Sequence, residues 1–275
     1  MKITLLSDLH FPDNIDEFNR IVGKLRGTVV IAGDITSTGK INEYEKFLKV
    51  LFKKNKNLTL IHTLGNHEYW LSRSQMRKNM NSLEKINRFK EIADDYGVHI
   101  LNFEPVMLGK VAFIGNVGWY DYSFAEHLNF DEVLFERGTP YKNCCIPPCS
   151  AHDRVCPEWS NDAVYVKLPM SNKEFVKKNA ERIKKHAEEV SHADRIYVVF
   201  HHIPKRELIS YTGDRYTDFF RAYDGSDILG KAVEELEVKV DAVFYGHTHT
   251  HRKRSDVING IKYIALSYKF LETLD

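Results

Sequence analysis

The sequence predicts an α/β fold built on a doubly wound, mostly parallel sheet, and two observations carry that expectation. In the first third of the 275 residues, apolar runs of strand length alternate with longer stretches of helical period, which is the grammar of βαβ units. Five polar fragments along the chain each close such an apolar run: Asp8-Leu9-His10, Gly33-Asp34, Gly65-Asn66-His67-Glu68, His201-His202 and Gly246-His247-Thr248-His249. In an open α/β sheet the ligand crevice lies beyond the carboxyl ends of the strands, so fragments placed there converge even when the sequence spreads them widely.

The first strand is expected at Ile3 to Leu6, followed by a helix around Asn14 to Leu25 and a strand from Val29 to Ala32. A helix around Glu43 to Phe52 leads to a strand from Leu58 to Leu64, and one long polar helical pattern runs from about Ser72 to Asp95. Short strand candidates then end in Val111 to Val117. From Gly118 to about Ser171 the periodicity lapses while aromatics, prolines and all four cysteines accumulate, so an irregular cap-like insertion at about 118–171 is expected within a single domain spanning 1–275. Charged amphipathic helices are expected at Asn172 to Val190 and Ser226 to Leu236, with strands at Ile196 to Phe200 and Ala242 to Tyr245. Asn259-Gly260 between apolar runs signals a hairpin.

Lys and Arg number 39 against 38 Asp and Glu, a formal charge of +1, so the chain lacks the bulk basic field that dominates nonspecific nucleic-acid binding. The opening MKITLLSDLH has an apolar run too short for a secretory core, and no later run reaches the roughly 20 apolar residues of a membrane span. A cytoplasmic protein without a membrane partner is the expectation. Cys144, Cys145, Cys149 and Cys156 cluster in one proline-punctuated patch. A structural zinc or a pair of disulfides would pin that segment, and free thiols in a loop are the plainer reading.

The strand-end fragments mix carboxylates with imidazoles, a donor set that suits Mn, Fe, Zn or Co. Alone, Asp8-Leu9-His10 is more often a turn aspartate beside a surface histidine. The two side chains would point the same way if the backbone stayed extended. Gly65-Asn66-His67-Glu68 changes those odds, because an asparagine carbonyl completes a site already charged by carboxylates. His247 and His249 add two imidazoles at alternate positions, with His251 following.

In this order the fragments resemble the calcineurin-like metallophosphoesterase family, whose pattern is D-x-H, G-D, G-N-H-[ED], a lone H after a strand, and G-H-x-H. The resemblance spans Asp8 to His249 and implies a four-layer αββα sandwich of two mixed β-sheets flanked by helices, with metals at the strand ends. It implies two divalent metal ions, Asp8, His10 and His249 binding one, Asn66, His201 and His247 the other, and Asp34 bridging both. The bridging carboxylate would offset repulsion between ions held roughly 3.5–4 Å apart. His67, adjacent to a ligand, would be catalytic, stabilising phosphoryl oxygens or protonating the leaving oxygen, with a metal-bridging hydroxide as nucleophile. Glu68 would either orient an imidazole or cap the following helix.

The expected reaction is hydrolysis of phosphomonoesters or phosphodiesters, nucleotides among them, on a small phosphate-ester substrate. A nuclease of the same fold and a noncatalytic metal-binding scaffold are the alternatives. For substrate recognition the candidates are Trp119, Tyr120 and Asp121 in the insertion, His202, and the Tyr211, Arg215, Tyr216 and Arg221 loop.

Overall fold

The computed structural model describes residues 2–144, 158–249, 254–269 and 271–274. The first part of the chain runs β1 (Ile3–Leu6), α1 (Ile15–Val22), β2 (Thr28–Ala32), α2 (Ile41–Lys54), β3 (Thr59–Thr63), α3 (Asn66–Tyr69), α4 (Arg73–Arg77), α5 (Ser82–Asp95) and β4 (His99–Ile100). It continues with β5 (Val106–Leu108), β6 (Val111–Asn116), α6 (Glu132–Arg137), α7 (Asn161–Tyr165), α8 (Asn172–Glu189), β7 (Arg195–Phe200), α9 (Arg215–Asp218), α10 (Asp227–Glu234), β8 (Ala242–Tyr245), β9 (Arg254–Ile258), β10 (Ile261–Ala265) and β11 (Glu272–Leu274).

Among the described residues the strands form two sheets, ordered β11-β1-β2-β3-β4 and β5-β6-β7-β8-β10-β9. The βαβ alternation of the first third builds the parallel part of the first sheet, with Ile3 opposite Thr28 and Ala32 opposite Thr63. Each sheet is mixed, because β11 runs antiparallel to β1 and the Asn259-Gly260 hairpin sets β9 antiparallel to β10. The doubly wound single sheet is therefore corrected to the two-sheet sandwich that the family resemblance implies.

Side-chain parity explains the sandwich. Alternate residues of a strand face opposite sides. Ile3, Leu5, Val30 and Ala32 of one sheet pack with Phe113, Tyr197, Val199, Ala242 and Phe244 of the other, which makes the layer between the sheets. Their neighbours Leu6, Val29, Ile31, Ile114, Val198 and Val243 join the larger cluster that includes the helices. Both faces of the central strands β1, β2, β6, β7 and β8 are covered, which is why these strands read as continuous apolar runs. On α2, Tyr44, Phe47, Leu48 and Leu51 are buried at helical spacing, and burying each stabilises by roughly 1.5–3 kcal/mol.

The helical pattern from Ser72 to Asp95 divides into α4 and α5. Asn79 takes a left-handed backbone at φ 54°, and the Asn81 side chain caps α5 by accepting the Glu84 N–H at 3.0 Å. The described part of the insertion is less irregular than its sequence. It carries a 3-10 turn at Ser123–Leu128 and the short helices α6 and α7. Trp119, Tyr120 and Phe124 are buried in the main core, and Phe135 stacks on Phe219 at 4.7 Å. Of the four clustered cysteines, Cys144 is described and buried. Cys145, Cys149 and Cys156 lie outside the described residues, as does His251, and with them the zinc and disulfide readings. No helix among the described residues is long and apolar enough to cross a membrane.

One buried titratable group far from the strand-end fragments gives a stability test. His186 on α8 is 3% exposed, and burial pushes its pKa down to about 4 from 6.5. Between those values the unfolded chain binds a proton that the folded chain refuses, so the contribution is full above pH 6.5 and lost as pH falls toward 4. The slope attributable to this residue is at most about 1.4 kcal/mol per pH unit. His186→Gln is expected to flatten the fall of Tm with acid in this window; an unchanged slope by calorimetry would contradict the assignment.

Candidate metal centre

The loops after β1 and β2 run side by side. Asp8 N–H donates to Gly33 O at 3.2 Å, His10 N–H to Asp34 O at 3.0 Å and Phe11 N–H to Ile35 O at 2.8 Å, so Asp8, His10 and Asp34 are fixed against one another by backbone. The chain is not extended here. Asp8, His10 and Asp34 have φ of 57°, 44° and 50°, and His247 and His249 have 67° and 46°. Left-handed backbone is uncommon outside glycine, with Asp, Asn and His the exceptions that tolerate it best, and it gathers at functional sites. These turns, rather than alternation along a strand, bring Asp8 and His10 together.

Two groups of ligand atoms result, each with its atoms within 4.8 Å of one another: Asp8, His10, Asp34 and His249, and Asp34, His201 and His247. Asp34 belongs to both. His10 Nε2 lies 3.0 Å from His249 Nε2 and 3.7 Å from Asp34 Oδ2, which in turn lies 3.4 Å from His201 Nε2. Asn66 Oδ1 is 2.9 Å from His201 Nε2, and His247 Nδ1 is 3.1 Å from the same nitrogen. All seven residues expected as ligands are thus gathered at one place.

The chemistry of this donor set fits cations. His201 Nδ1–H donates to Ala32 O at 2.8 Å, which turns a bare Nε2 lone pair inward. Asn66 spends its NH2 on Asp162 Oδ1 at 2.9 Å, which turns its carbonyl oxygen inward as well. Asp34 Oδ2 is buried and has no hydrogen-bond partner among the described residues. Acceptors therefore face acceptors, an arrangement that a shared divalent ion satisfies. Protonation follows the same logic. Burial, then the charges of Glu68 and Asp8, push the Asp34 carboxyl well above its usual range, and burial pushes Asp8 up to about 6. Burial likewise lowers His10 to about 2, ahead of the repulsion from His67 and His249, and holds His201 and His247 well below the normal range. A bound dication favours the same carboxylate and neutral imidazole forms that ligation needs.

His67 stands beside the cluster. Its Nδ1–H donates to Ser37 O at 2.6 Å, its Nε2 is 3.6 Å from Asp34 Oδ2, and its ring stacks on Trp70 at 3.6 Å. Among the described residues Glu68 makes no hydrogen bond to an imidazole. It accepts N–H groups of Asp34, Thr36 and Gly65 at 3.2, 2.9 and 2.7 Å, which caps α3 and ties its loop to the Gly33-Asp34 loop. Gly65 allows that tie, since a β-carbon there would overlap Asp34 Oδ1 and its backbone nitrogen. Gly65→Ala is expected to displace Asp34, lowering metal content in purified protein and costing about 1–3 kcal/mol of stability in denaturant titration.

The residues expected to recognise substrate are placed otherwise. His202 is fully buried, its Nδ1–H on Val117 O at 2.9 Å and its ring packed against Trp119, Tyr120 and His247. It backs His247 and presents no surface. Arg215 donates to Leu128 O and Asn129 O, covers the Phe130 ring, and lines a separate cavity of about 450 Å3 that none of the seven gathered residues lines. Trp119 and Tyr120 are core, and Asp121 caps Ser123 at 2.6 and 3.1 Å. Sequence reasoning missed Asp162 and Trp70. Asp162 lies in a stretch without periodicity and gave no signal, whereas Trp70 follows His67 by three residues, the spacing of one helical turn.

A family model for calcineurin-like phosphoesterases matches residues 1–251. A comparison with curated proteins finds no match. Among solved structures, a phosphopantetheinyl hydrolase from Mycobacterium tuberculosis is similar at a TM-score of 0.67 and 16% identity, over 98% of this chain and 90% of that one. GAP50, the anchor in the inner membrane complex of Plasmodium, matches at a TM-score of 0.45 and 13% identity, over 97% and 71%. A 5'-nucleotidase precursor from Thermus thermophilus matches at 0.43 and 12%, over 97% and 48%. The family match covers all five strand-end fragments, and the chain belongs to the calcineurin-like phosphoesterase family as a hydrolase of phosphoric esters.

Proposed function

We propose that this protein hydrolyses small phosphomonoesters or phosphodiesters, nucleotides among them, at a dinuclear centre held by Asp8, His10, Asp34, Asn66, His201, His247 and His249. The observation that carries the reading is Asp34, which belongs to both ligand groups and whose buried Oδ2 has no hydrogen-bond partner among the described residues. When bound, two divalent cations lower the pKa of a water and neutralise phosphate oxygens during in-line displacement.

The chain's own residues supply the rest. With Nδ1–H held by Ser37 O, His67 donates from Nε2 only as imidazolium. Burial disfavours that charged form, and a bound phosphate dianion together with the face of Trp70 would favour it. His67 then stabilises the phosphoryl oxygens or protonates the leaving oxygen. His249, half exposed, lies on the solvent side where an ester enters. The described residues of the 118–171 segment belong to the same domain, Trp119, Tyr120, Tyr122, Phe124 and Phe135 serving as core and α7 as a wall of the centre.

The test is hydrolysis of an aryl phosphomonoester and an aryl phosphodiester by metal-stripped protein reloaded with Mn. Metal-dependent turnover of either is expected, and the ratio decides mono- against diesterase. A phosphopantetheinyl diester belongs among the trial substrates, since the hydrolase named for that group shares the fold. No turnover with any divalent ion would favour the scaffold alternative, and turnover of single-stranded DNA alone the nuclease.

A further inference from the structure

We propose that Asp162, supplied by the insertion, is a positioning residue that fixes the Asn66 amide with its oxygen toward the metal site and fixes Trp70 beneath His67. The inference rests on the dinuclear reading above. Asp162 Oδ1 accepts both the Asn66 NH2 at 2.9 Å and the Trp70 indole N–H at 2.6 Å. The residue is 4% exposed.

An asparagine side chain has two nearly isosteric ends, and only its hydrogen-bond partners decide which end points where. Asp162 carries acceptors alone when ionised, so it draws the NH2 end toward itself. Asn66 Oδ1 is left facing the lone pair of His201 Nε2 at 2.9 Å, a contact between acceptors. Were the amide free to turn, its NH2 would donate to His201 Nε2 and occupy that lone pair without a cation. Asp162 opposes that turned arrangement and so keeps Asn66 Oδ1 and His201 Nε2 open to metal. The same oxygen holds the Trp70 ring, stacked on His67 at an interplanar angle of 28°.

The carboxylate is itself held firmly. The backbone of α7 is joined to the site loop by Leu71 N–H donating to Tyr165 O at 2.8 Å, and Ser82 N–H donates to Lys167 O at 2.8 Å just beyond the helix. On the other side, Gly138 in the turn after α6 leaves no room for a β-carbon beside Ala163.

The experiment is stepwise titration of the metal-stripped protein with Mn, together with kcat and KM on the better aryl ester. Asp162→Ala is expected to weaken the Mn site that includes Asn66 by about 10–100-fold while the other site stays within about threefold. kcat should fall more than KM rises. Asp162→Asn, whose amide oxygen can still accept both donors, is expected to stay within about threefold of wild type at both sites. Should Asp162→Ala fail to fold, Asp162→Ser, too short to reach both donors, takes its place in the same titration. Equal weakening at both sites, no weakening at either, or a loss in Asp162→Asn as large as in Asp162→Ala would overturn the assignment. Wild-type protein that binds fewer than two Mn would instead remove the dinuclear reading beneath it.

Discussion

Asp34→Ala is expected to lose both metals and to lower turnover by at least about 1,000-fold, because the single carboxylate belongs to both ligand groups. Among the described residues no other position has that double role. Replacing His249 or His247 removes a ligand from one group and leaves the other complete. Metal content measured by mass spectrometry after dialysis is expected below one ion per chain, and a variant that retains two would show that Asp34 bridges nothing. Folding behaves in the opposite way. In the metal-free protein burial and the nearby charges of Glu68 and Asp8 raise the Asp34 pKa well above its usual 3.8. Its contribution to stability is therefore greatest in acid and lost as pH rises through the folded value. Metal-free Asp34→Ala should lack that loss, and near neutral pH it should unfold at a temperature no lower than metal-free wild type.

His67→Ala is expected to bind two metals as wild type does and to lose turnover by about 100- to 10,000-fold, the range typical of a general acid or a principal oxyanion contact. The separation follows from geometry. His67 Nδ1 is committed to Ser37 O, and His67 is in neither group of gathered ligand atoms. A substrate with a good leaving group should suffer less than one with a poor leaving group if the ring protonates the leaving oxygen; equal losses on both would assign it to the phosphoryl oxygens. Loss of metal along with activity would show that His67 is a ligand.

Much of this was legible in the residues. β1 and β8 fall where Ile3 to Leu6 and Ala242 to Tyr245 read as strands, because strands covered on both faces must be apolar throughout. The five fragments were legible as a set, since each follows such a strand and their order is specific. The second sheet was legible only through the family resemblance those fragments carry, because local periodicity reports that a segment is a strand and says nothing of which strands it pairs with. β11 pairs with β1 across nearly the whole chain, and no local pattern encodes that. Trp119 and Tyr120 misled for a related reason: in a segment without periodicity, large aromatics bound for the core look the same as aromatics bound for a ligand. Arg215 was a fair candidate by chemistry, yet its guanidinium is already taken by two carbonyls and a ring. Asp162 stayed hidden because its importance lies in which end of an amide it faces, a relation between residues 96 positions apart.

The left-handed backbone at Asp8, His10, Asp34, His247 and His249 has an evolutionary consequence. Asparagine accepts that conformation at least as well as aspartate or histidine does, whereas branched residues do not. A lineage can therefore shed the chemistry by drifting to asparagine at these positions while the strand ends keep their course, and the shell left behind would still fold. Drift to valine or isoleucine would bend the loops themselves. Inactive descendants of this chain should accordingly show amides where it has carboxylates and imidazoles.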